Sequence, residues 1–469
     1  MQTHPVFRFR CHPTLAQKNI LLQLTVCQRF IYNANPPVGQ QYIRYIESEL
    51  THGRKDVSSH VRRNGAVKWM RAYKRFFQGV SGRPVIKKKI GRQAVWLTSE
   101  LFRFSGNKLT VGTRKTPVGD MAFNAHRDYR IPNSIRLGVE AGKWFLSFSN
   151  EDGDQVPDEA ETVAWLRSFS EEDLLARTFG GDRGVETPLA GNHGESFDFD
   201  PAQKTRMEKK RRQAKRYQRQ MARRRAHAVK EKRRTGANYR KTRSRLAKTH
   251  QYGKNVREDF AHKTSRTIVG NSDHLLIVYE DLNVKGMTRK PKARKDENGK
   301  WAKNRAAAKA GLNKGILTST WGKTVTFTKY KAIKAGKLCI KINPYQTSRE
   351  CAECGHINHD NRVSRSVFVC QACEHQDNAD HNAGRVIARR GVRLLLSGGY
   401  SPREVKRCGI FRQKVNAPIG PVRSEFTPVE SIVSRVAGNG QTRGTEHPHS
   451  KGKKQETLSA RKETQATTA

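Results

Sequence analysis

Long apolar runs are missing from this sequence. No stretch is long enough to cross a bilayer, and no basic start leads into an apolar segment. Neither a membrane helix nor a signal peptide is therefore expected, and no membrane partner. Carboxylates are scarce as well: across 469 residues, 42 Asp+Glu stand against 91 Lys+Arg, a formal net charge of +49. Such an excess repels itself in a compact fold unless a polyanion answers it. Nucleic acid, which releases condensed counterions for each phosphate neutralised, is the default partner. Charge alone does not separate an enzyme from a ribosomal or histone-like binder. Hydrophobic residues reach only 35%, little for one globule of this length but enough for two or three domains with solvated segments. The eight cysteines do not form a secreted disulfide framework. Cys11, Cys27, Cys339 and Cys408 are scattered and the other four crowd between residues 351 and 373, which points to a reducing intracellular compartment.

What is present divides the chain. Pro5-Val-Phe-Arg-Phe-Arg-Cys11 alternates as a half-buried strand does, and Thr14 can cap a helix through Leu15, Ile20, Leu21, Leu24 and Phe30. Two more helical patterns follow, through Ile43, Ile46 and Leu50 and from Val67 to Phe77. Strand signals then run through 94–97, 108–111 and 144–148. Residues 1–150 thus predict a β-rich domain with a helical insert at about 14–78. The chain's clear acidic cluster reads as a linker over 151–175, and a second core begins near residue 176. Residues 204–248 are dense in Lys and Arg, with only Glu208 and Glu231 against them. Gly236-Ala237-Asn238 breaks the run, predicting a basic helical hairpin over 202–270 whose second arm is amphipathic through Val256, Phe260, Thr264 and Ile268. Residues 288–310 read as a mobile loop, and 396–469 as a polar, disordered tail.

Cys351-Ala-Glu-Cys354 and Cys370-Gln-Ala-Cys373 are two C-x2-C pairs separated by fifteen residues. Four thiolates at that spacing close a tetrahedral cage, the pattern of a structural zinc ribbon (345–377), not of a catalytic metal. Gly355 follows the first pair as a knuckle with positive φ prefers. Glu374 follows the second, where a side chain costs on the order of 1 kcal/mol. His356, His359 and His375 lie near enough in sequence to be alternative ligands.

Three acids stand out for chemistry. Asp182 lies in Phe179-Gly-Gly-Asp-Arg-Gly-Val185, Glu280 closes the apolar run Leu275-Leu-Ile-Val-Tyr279, and Asp380 opens a helical run through Val386 and Ile387. Their positions alone do not bring them together, since an acid at a strand end is more often a turn or cap residue. If a sheet did so, they could hold two divalent cations about 4 Å apart that clamp a phosphate. Hard oxygen ligands suit Mg²⁺ or Mn²⁺.

These motifs, taken in order, resemble one family. Asp182-Arg-Gly184, the basic hairpin and Val278-Tyr-Glu-Asp-Leu-Asn-Val-Lys-Gly-Met287 resemble the first two RuvC motifs of the TnpB proteins. Thr347-Ser-x-x-Cys-x-x-Cys-Gly355, Phe368-Val-Cys370 and Asn378-Ala-Asp-x-Asn-Ala383 resemble their zinc ribbon and third RuvC motif. Phe7-Arg-Phe-Arg-Cys-His-Pro13 with Gln17 and Tyr32-Asn33 is similar to the family's amino-terminal segment, as is Tyr330-Lys331-Ala332 with Gly336-Lys337 ahead of the ribbon. The likeness spans roughly residues 5–395, and the compact type V CRISPR effectors share it.

The resemblance implies an α/β RNase H-like RuvC domain (176–395) with an inserted zinc ribbon, plus an amino-terminal wedge-like domain with a helical recognition insert. It implies a catalytic, Mg²⁺-binding triad of Asp182, Glu280 and Asp380 and a Zn²⁺ site of Cys351, Cys354, Cys370 and Cys373. The partners implied are a guide RNA and target double-stranded DNA cut next to a short motif, in a prokaryotic cytoplasm and on its nucleoid. Monomer and homodimer both stay open. In such systems base pairing reads the sequence and the protein holds the backbone. Arg211, Arg212, Arg224, Arg225, Arg257 and Arg362 are the candidates for that. The sequence departs from the family at Arg183, Gln346, Glu374 and His381, and Arg183 is expected to lower the pKa of Asp182. An RNA-guided binder that represses without cutting is the alternative. A transposase acting on DNA ends is disfavoured, because no convincing His-x-His pair lies near a nucleophilic Tyr.

Overall fold

The computed structural model describes residues 6–34, 57–89, 93–149 and 156–402, except 294, 296 and 303. The helical pattern at Ile43–Leu50 and the tail beyond 402 lie outside the described residues. Among the described residues no helix is long and apolar enough to cross a membrane.

The amino-terminal strands build one seven-stranded antiparallel sheet. β1 (Val6–Cys11) buries Phe7, Phe9 and Cys11 on alternate positions and sits mid-sheet. It pairs with β7 (Lys143–Ser149) and β5 (Pro117–Asn124). β2 (Gln93–Thr98) and β6 (Ser134–Glu140) extend one side, β4 (Lys108–Gly112) and β3 (Phe102–Ser105) the other, in the order β2-β6-β7-β1-β5-β4-β3. Helix α1 (Leu15–Asn33) starts at Thr14 as expected. The Thr14 hydroxyl accepts from Gln17 N at 3.3 Å and the Gln17 side chain accepts from Thr14 N at 2.9 Å, a capping box. With α2 (Ser59–Phe77) it buries Leu21, Ile31, Val61 and Ala66 in the same core as the sheet.

The second core differs from the expected boundaries. Residues 158–176 are not a free linker: they form α3 (Glu159–Leu166) and α4 (Glu171–Ala176), whose Val163, Leu166 and Leu174 are buried in this core. Most of the acids lie outward: Asp158 caps α3, while Glu171, Glu172 and Asp173 fill the first turn of α4 behind its cap Ser170, which is why the segment reads as polar. Behind them a five-stranded sheet has the order β10-β9-β8-β11-β12. Its members are β8 (Thr178–Asp182), β9 (Leu189–Gly191), β10 (Ser196–Phe197), β11 (Leu276–Glu280) and β12 (Leu338–Ile342). β8, β11 and β12 run parallel, while β9 and β10 are antiparallel additions.

Between β10 and β11 the chain makes the basic hairpin, α5 (Pro201–Lys230) and α6 (Ala237–Gly270). Between β11 and β12 come the short α7 (Val284–Met287), then α8 (Ala306–Ser319) and α9 (Trp321–Lys334). The segment read as a loop to 310 therefore enters a helix at Ala306. After β12 comes the cysteine-bearing module, with its two-stranded sheet β13 (Val367–Val369) and β14 (Gln376–Asn378), and then α10 (Ala379–Leu396). Residues 397–402 are packed as well: Arg167 Nη2 donates to Tyr400 O at 2.8 Å and the Tyr400 hydroxyl donates to Glu159.

Strand alternation sorts this sheet into two faces. Leu276 and Val278 face α10, with Ile387, Val392 and Leu395. Ile277 and Tyr279 face α6 and α9, with Ile268, Val325 and Ala332. On β8 the α10 side is made by Gly180, and a Cβ placed there would lie 2.1 Å from Gly384 O. Only glycine permits that approach. Gly180→Ala is expected to cost at least about 1–3 kcal/mol, seen as a lower melting temperature, whereas Gly322→Ala on α9, with nothing near its Cβ, should not lower it, since alanine favours a helix more than glycine does.

Candidate active site and metal centre

The same alternation places the carboxylates. Tyr279 pairs with Gly181 between parallel β11 and β8, so Glu280 and Asp182, one residue further on, end adjacent strands side by side. Both share a face with Gly180 and Val278, the face covered by α10, and Asp380 is in the first turn of that helix. Burial pushes the Asp182 carboxyl up to about 7, and the charges of Glu280 and Asp380 push the same way, against a hydrogen bond from Arg183 N and the charge of Arg362. The expected lowering by Arg183 is thus reversed in net effect. Arg183 is one residue out of phase, so its buried guanidinium lies across the sheet and Nη2 donates to the Glu280 main-chain carbonyl. The cation that reaches an acid of the trio is Arg362, with Nη2 3.2 Å from Asp380 Oδ1.

Three further residues of this neighbourhood have no role legible in the sequence: Thr347 and Asn382, which appear there only as parts of motifs, and Asn192. The Thr347 hydroxyl donates to Glu280 Oε1 at 2.7 Å; Gln346 before it takes φ 61°, a turn that brings the hydroxyl inward. Asn382 is fully buried: its Oδ1 accepts from Ala352 N at 2.9 Å and its Nδ2 donates to Glu350 O at 2.8 Å, tying α10 to the first cysteine knuckle. Asn192 completes the open edge of β8 like a strand, accepting from Gly180 N and donating to Thr178 O. The motif Asn378-Ala-Asp-x-Asn could have flagged Asn382; nothing comparable marks Asn192.

The four thiols gather. Sγ of Cys351 and Cys373 are 3.7 Å apart, those of Cys354 and Cys370 3.5 Å, and all four lie within 4.8 Å of one another. They are free cysteines, far beyond the roughly 2.05 Å of a disulfide. Among the described residues this is the group of His, Cys, Asp or Glu side chains close enough to hold one metal ion; the three carboxylates are not gathered that tightly. None of His356, His359 and His375 joins the group. Gly355 and Glu374 take φ 76° and 58°, the left-handed turns expected after each pair. Asn361, fully buried, joins the knuckles: it donates to His356 O and accepts from Gln371 N.

The candidate nucleic-acid arginines fall into different settings. Arg224 Nη1 donates to Asn238 O at 2.7 Å and to the Thr242 hydroxyl, closing the hairpin's turn. Arg211 pairs with Glu208, and Arg212 is largely exposed 3.6 Å from the same acid. Arg225 is exposed, Arg257 half-buried, and Arg362 holds Asp380.

Comparison with known proteins adds independent observations. Residues 321–387 match the family model Cas12f1-like, TNB domain. A protein of Escherichia coli (strain K12) that bears the name RNA-guided DNA endonuclease InsQ is 26% identical over 420 residues, 85% of this chain and 95% of its own. This chain is related to the TnpB-type and Cas12f1 nucleases. The CRISPR-associated endodeoxyribonuclease Cas12f1 of Sulfoacidibacillus thermotolerans is 51% identical over 68 residues, 14% of this chain and 16% of that protein. Among solved structures, a Cas12f1–sgRNA–target DNA complex aligns at 13% identity and a TM-score of 0.47, covering 82% of this chain and 99% of the other.

Proposed function

We propose that the protein is an RNA-guided DNA endonuclease that hydrolyses phosphodiester bonds at a RuvC-type site made by Asp182, Glu280 and Asp380. The observation that carries the reading is that Asp182 and Glu280 each follow the last registered pair of two parallel strands, Gly181 and Tyr279, on the face that α10 covers with Asp380. Supporting it are the strand order, two antiparallel strands beside three parallel ones as in an RNase H-like sheet, and the name of the relative that matches along 95% of its length. Asp182, a carboxyl whose proton affinity is raised by burial and by the charges of Glu280 and Asp380, together with those two acids suits hard divalent cations such as Mg²⁺ or Mn²⁺. When bound, such ions supply an activated water and charge stabilisation on a cleaved phosphodiester. The chain's own residues prepare the place. Thr347 orients the Glu280 carboxylate, Arg183 ties β8 to the Glu280 main chain, and Arg362 balances Asp380 where its guanidinium can also meet a phosphate.

For the cysteine cluster the fit is to zinc. A tetrahedral ion with bonds of about 2.3 Å to sulfur sets sulfurs about 3.8 Å apart, close to the observed 3.5 and 3.7 Å. Guide RNA and target DNA are the partners we assign to the basic hairpin, where Arg212 and Arg225 face solvent.

The test is the protein purified with its native RNA and offered matched duplex DNA with Mg²⁺. Product that disappears in Asp182→Ala supports the reading. A second reading, guided binding and repression without cutting, is favoured by one feature: Arg362 Nη2 lies 3.2 Å from Asp380 Oδ1, a cation already paired with one of the three acids. Tight binding with no product at any Mg²⁺ concentration would establish it and end the first.

A further inference from the structure

One cavity opens against the connection that follows Asp182, and none of the three carboxylates lines it. About 560 Å³ of space opens between α5, α6 and α8, and the β8–β9 connection that begins at Asp182 supplies Val185 and Pro188 to its floor. That is the size range in which proteins hold a small ligand. The space exists because small residues face it: Ala214 on α5, Gly253 on α6, and Gly311 and Gly315 on α8. Its apolar wall includes Met207 and Phe199, and the Phe199 ring lies 4.2 Å from that of Phe260.

The charges around the cavity do not cancel. Each acid on its lining has a cation: Glu186 has Arg365, Asp198 has Lys204, and Glu208 has Arg211. Two lining cations, Arg257 and Lys314, have neither an ion-pair nor a side-chain hydrogen-bond partner among the described residues. Arg257 is half-buried, and burial lowers its pKa. Arg211 keeps a buried Nε without an acceptor. An apolar wall with unanswered guanidinium and ammonium groups at its rim suits one chemical unit in particular. A nucleotide presents a flat base to the wall and an anionic phosphate to the rim.

We propose that this cavity takes one nucleotide of the DNA strand delivered to Asp182, its base against Phe199 and Met207 and its phosphate between Arg257 and Lys314. The identity of the strand as DNA rests on the nuclease reading above; the pocket itself does not. A base held here fixes the register of the strand a few residues along from Asp182, so the pocket sets which phosphate reaches the carboxylates.

The experiment uses the full chain with its guide RNA and matched DNA, without magnesium, in which thymines are replaced one at a time by 5-iodouracil. Irradiation followed by peptide mapping is expected to join one DNA position to Phe199, Met207 or His250. Gly311→Leu fills the cavity: a Cβ at Gly311 meets nothing within 4 Å, and leucine favours the helix more than glycine does. It should therefore melt no lower than the parent yet cut the crosslink by at least about tenfold. Arg257→Gln should weaken the same crosslink. The proposal is overturned if no DNA position crosslinks to these residues, if the yield is unchanged in Gly311→Leu, or if only iodouracil in the RNA reacts there. Cleavage by the unmodified complex in Mg²⁺ is scored separately. A crosslink without cleavage keeps the pocket and removes the nuclease reading; cleavage without a crosslink does the reverse.

Discussion

Asp182→Asn is expected to abolish cleavage while making the metal-free protein more stable at pH 8. The carboxyl of Asp182 is raised to about 7 by burial and by the like charges of Glu280 and Asp380, against about 3.9 in an unfolded chain. Between those two values the native state holds a proton that the unfolded chain has released. The stability is therefore fully present below about pH 4 and is lost as pH climbs through 7. An amide never ionises, so the variant escapes that loss. The difference at pH 8 should be a few kcal/mol at most, because Asp182 keeps some contact with solvent and water screens part of the repulsion. At pH 4 the two melting temperatures should coincide. Added Mg²⁺ should then raise the melting temperature of the parent at pH 8 and leave the variant nearly unmoved, since ligand binding stabilises only the species that binds. Cleavage should fall by at least about 10³-fold, as when a catalytic constellation loses a member. Equal melting curves at pH 8, or a variant that still cuts, would remove Asp182 from the site.

The sequence exposes some of this architecture directly and hides the rest for identifiable reasons. The apolar run ending in Glu280 is legible as a buried strand because each residue of β11 is buried, between α10 on one face and α6 and α9 on the other. The meeting of Asp182 with Glu280 is not legible, because it depends on a parallel register between strands separated by the whole basic hairpin. Once that register is known, the period of two decides the rest: Asp182 turns toward α10 and Arg183 away from it. Adjacency in sequence suggests that Arg183 lowers the pKa of Asp182, but successive residues of an extended chain point to opposite faces. The acidic segment differs from its expected linker role for a reason that is also local. In helices as short as α3 and α4 the acids cap and the few apolar residues bury, so composition points to solvent while Val163, Leu166 and Leu174 sit in the core. The arginines show the converse limit. Arg224 and Arg225 are neighbours of the same type, yet one closes the hairpin turn and the other faces solvent.

Cys370→Ser is expected to release the bound zinc and to lower cleavage by about 10–100-fold, the range seen when groups that orient a metal site are lost, without unfolding the rest of the chain. The cysteine module has little core of its own: Cys351, Phe368, Cys370 and Ala379 are the buried apolar cluster it contributes. Four such residues cannot repay the conformational entropy of a segment this long. On the zinc reading, metal binding, worth on the order of 10 kcal/mol in small zinc modules, supplies the term that folds it. Loss of the module reaches the active site through short connections. Asn382 ties the first knuckle to α10 two residues beyond Asp380, and Arg362, which holds Asp380, is itself a residue of the module. The sheets of both larger cores are built from other residues, so far-ultraviolet circular dichroism should change only modestly. Metal analysis of the purified parent should give one zinc per chain, and His375→Ala should keep it, because no histidine stands among the four sulfurs. Full cleavage by a zinc-free Cys370→Ser protein would mean that the module folds without its metal and that Asp380 is placed by α10 alone.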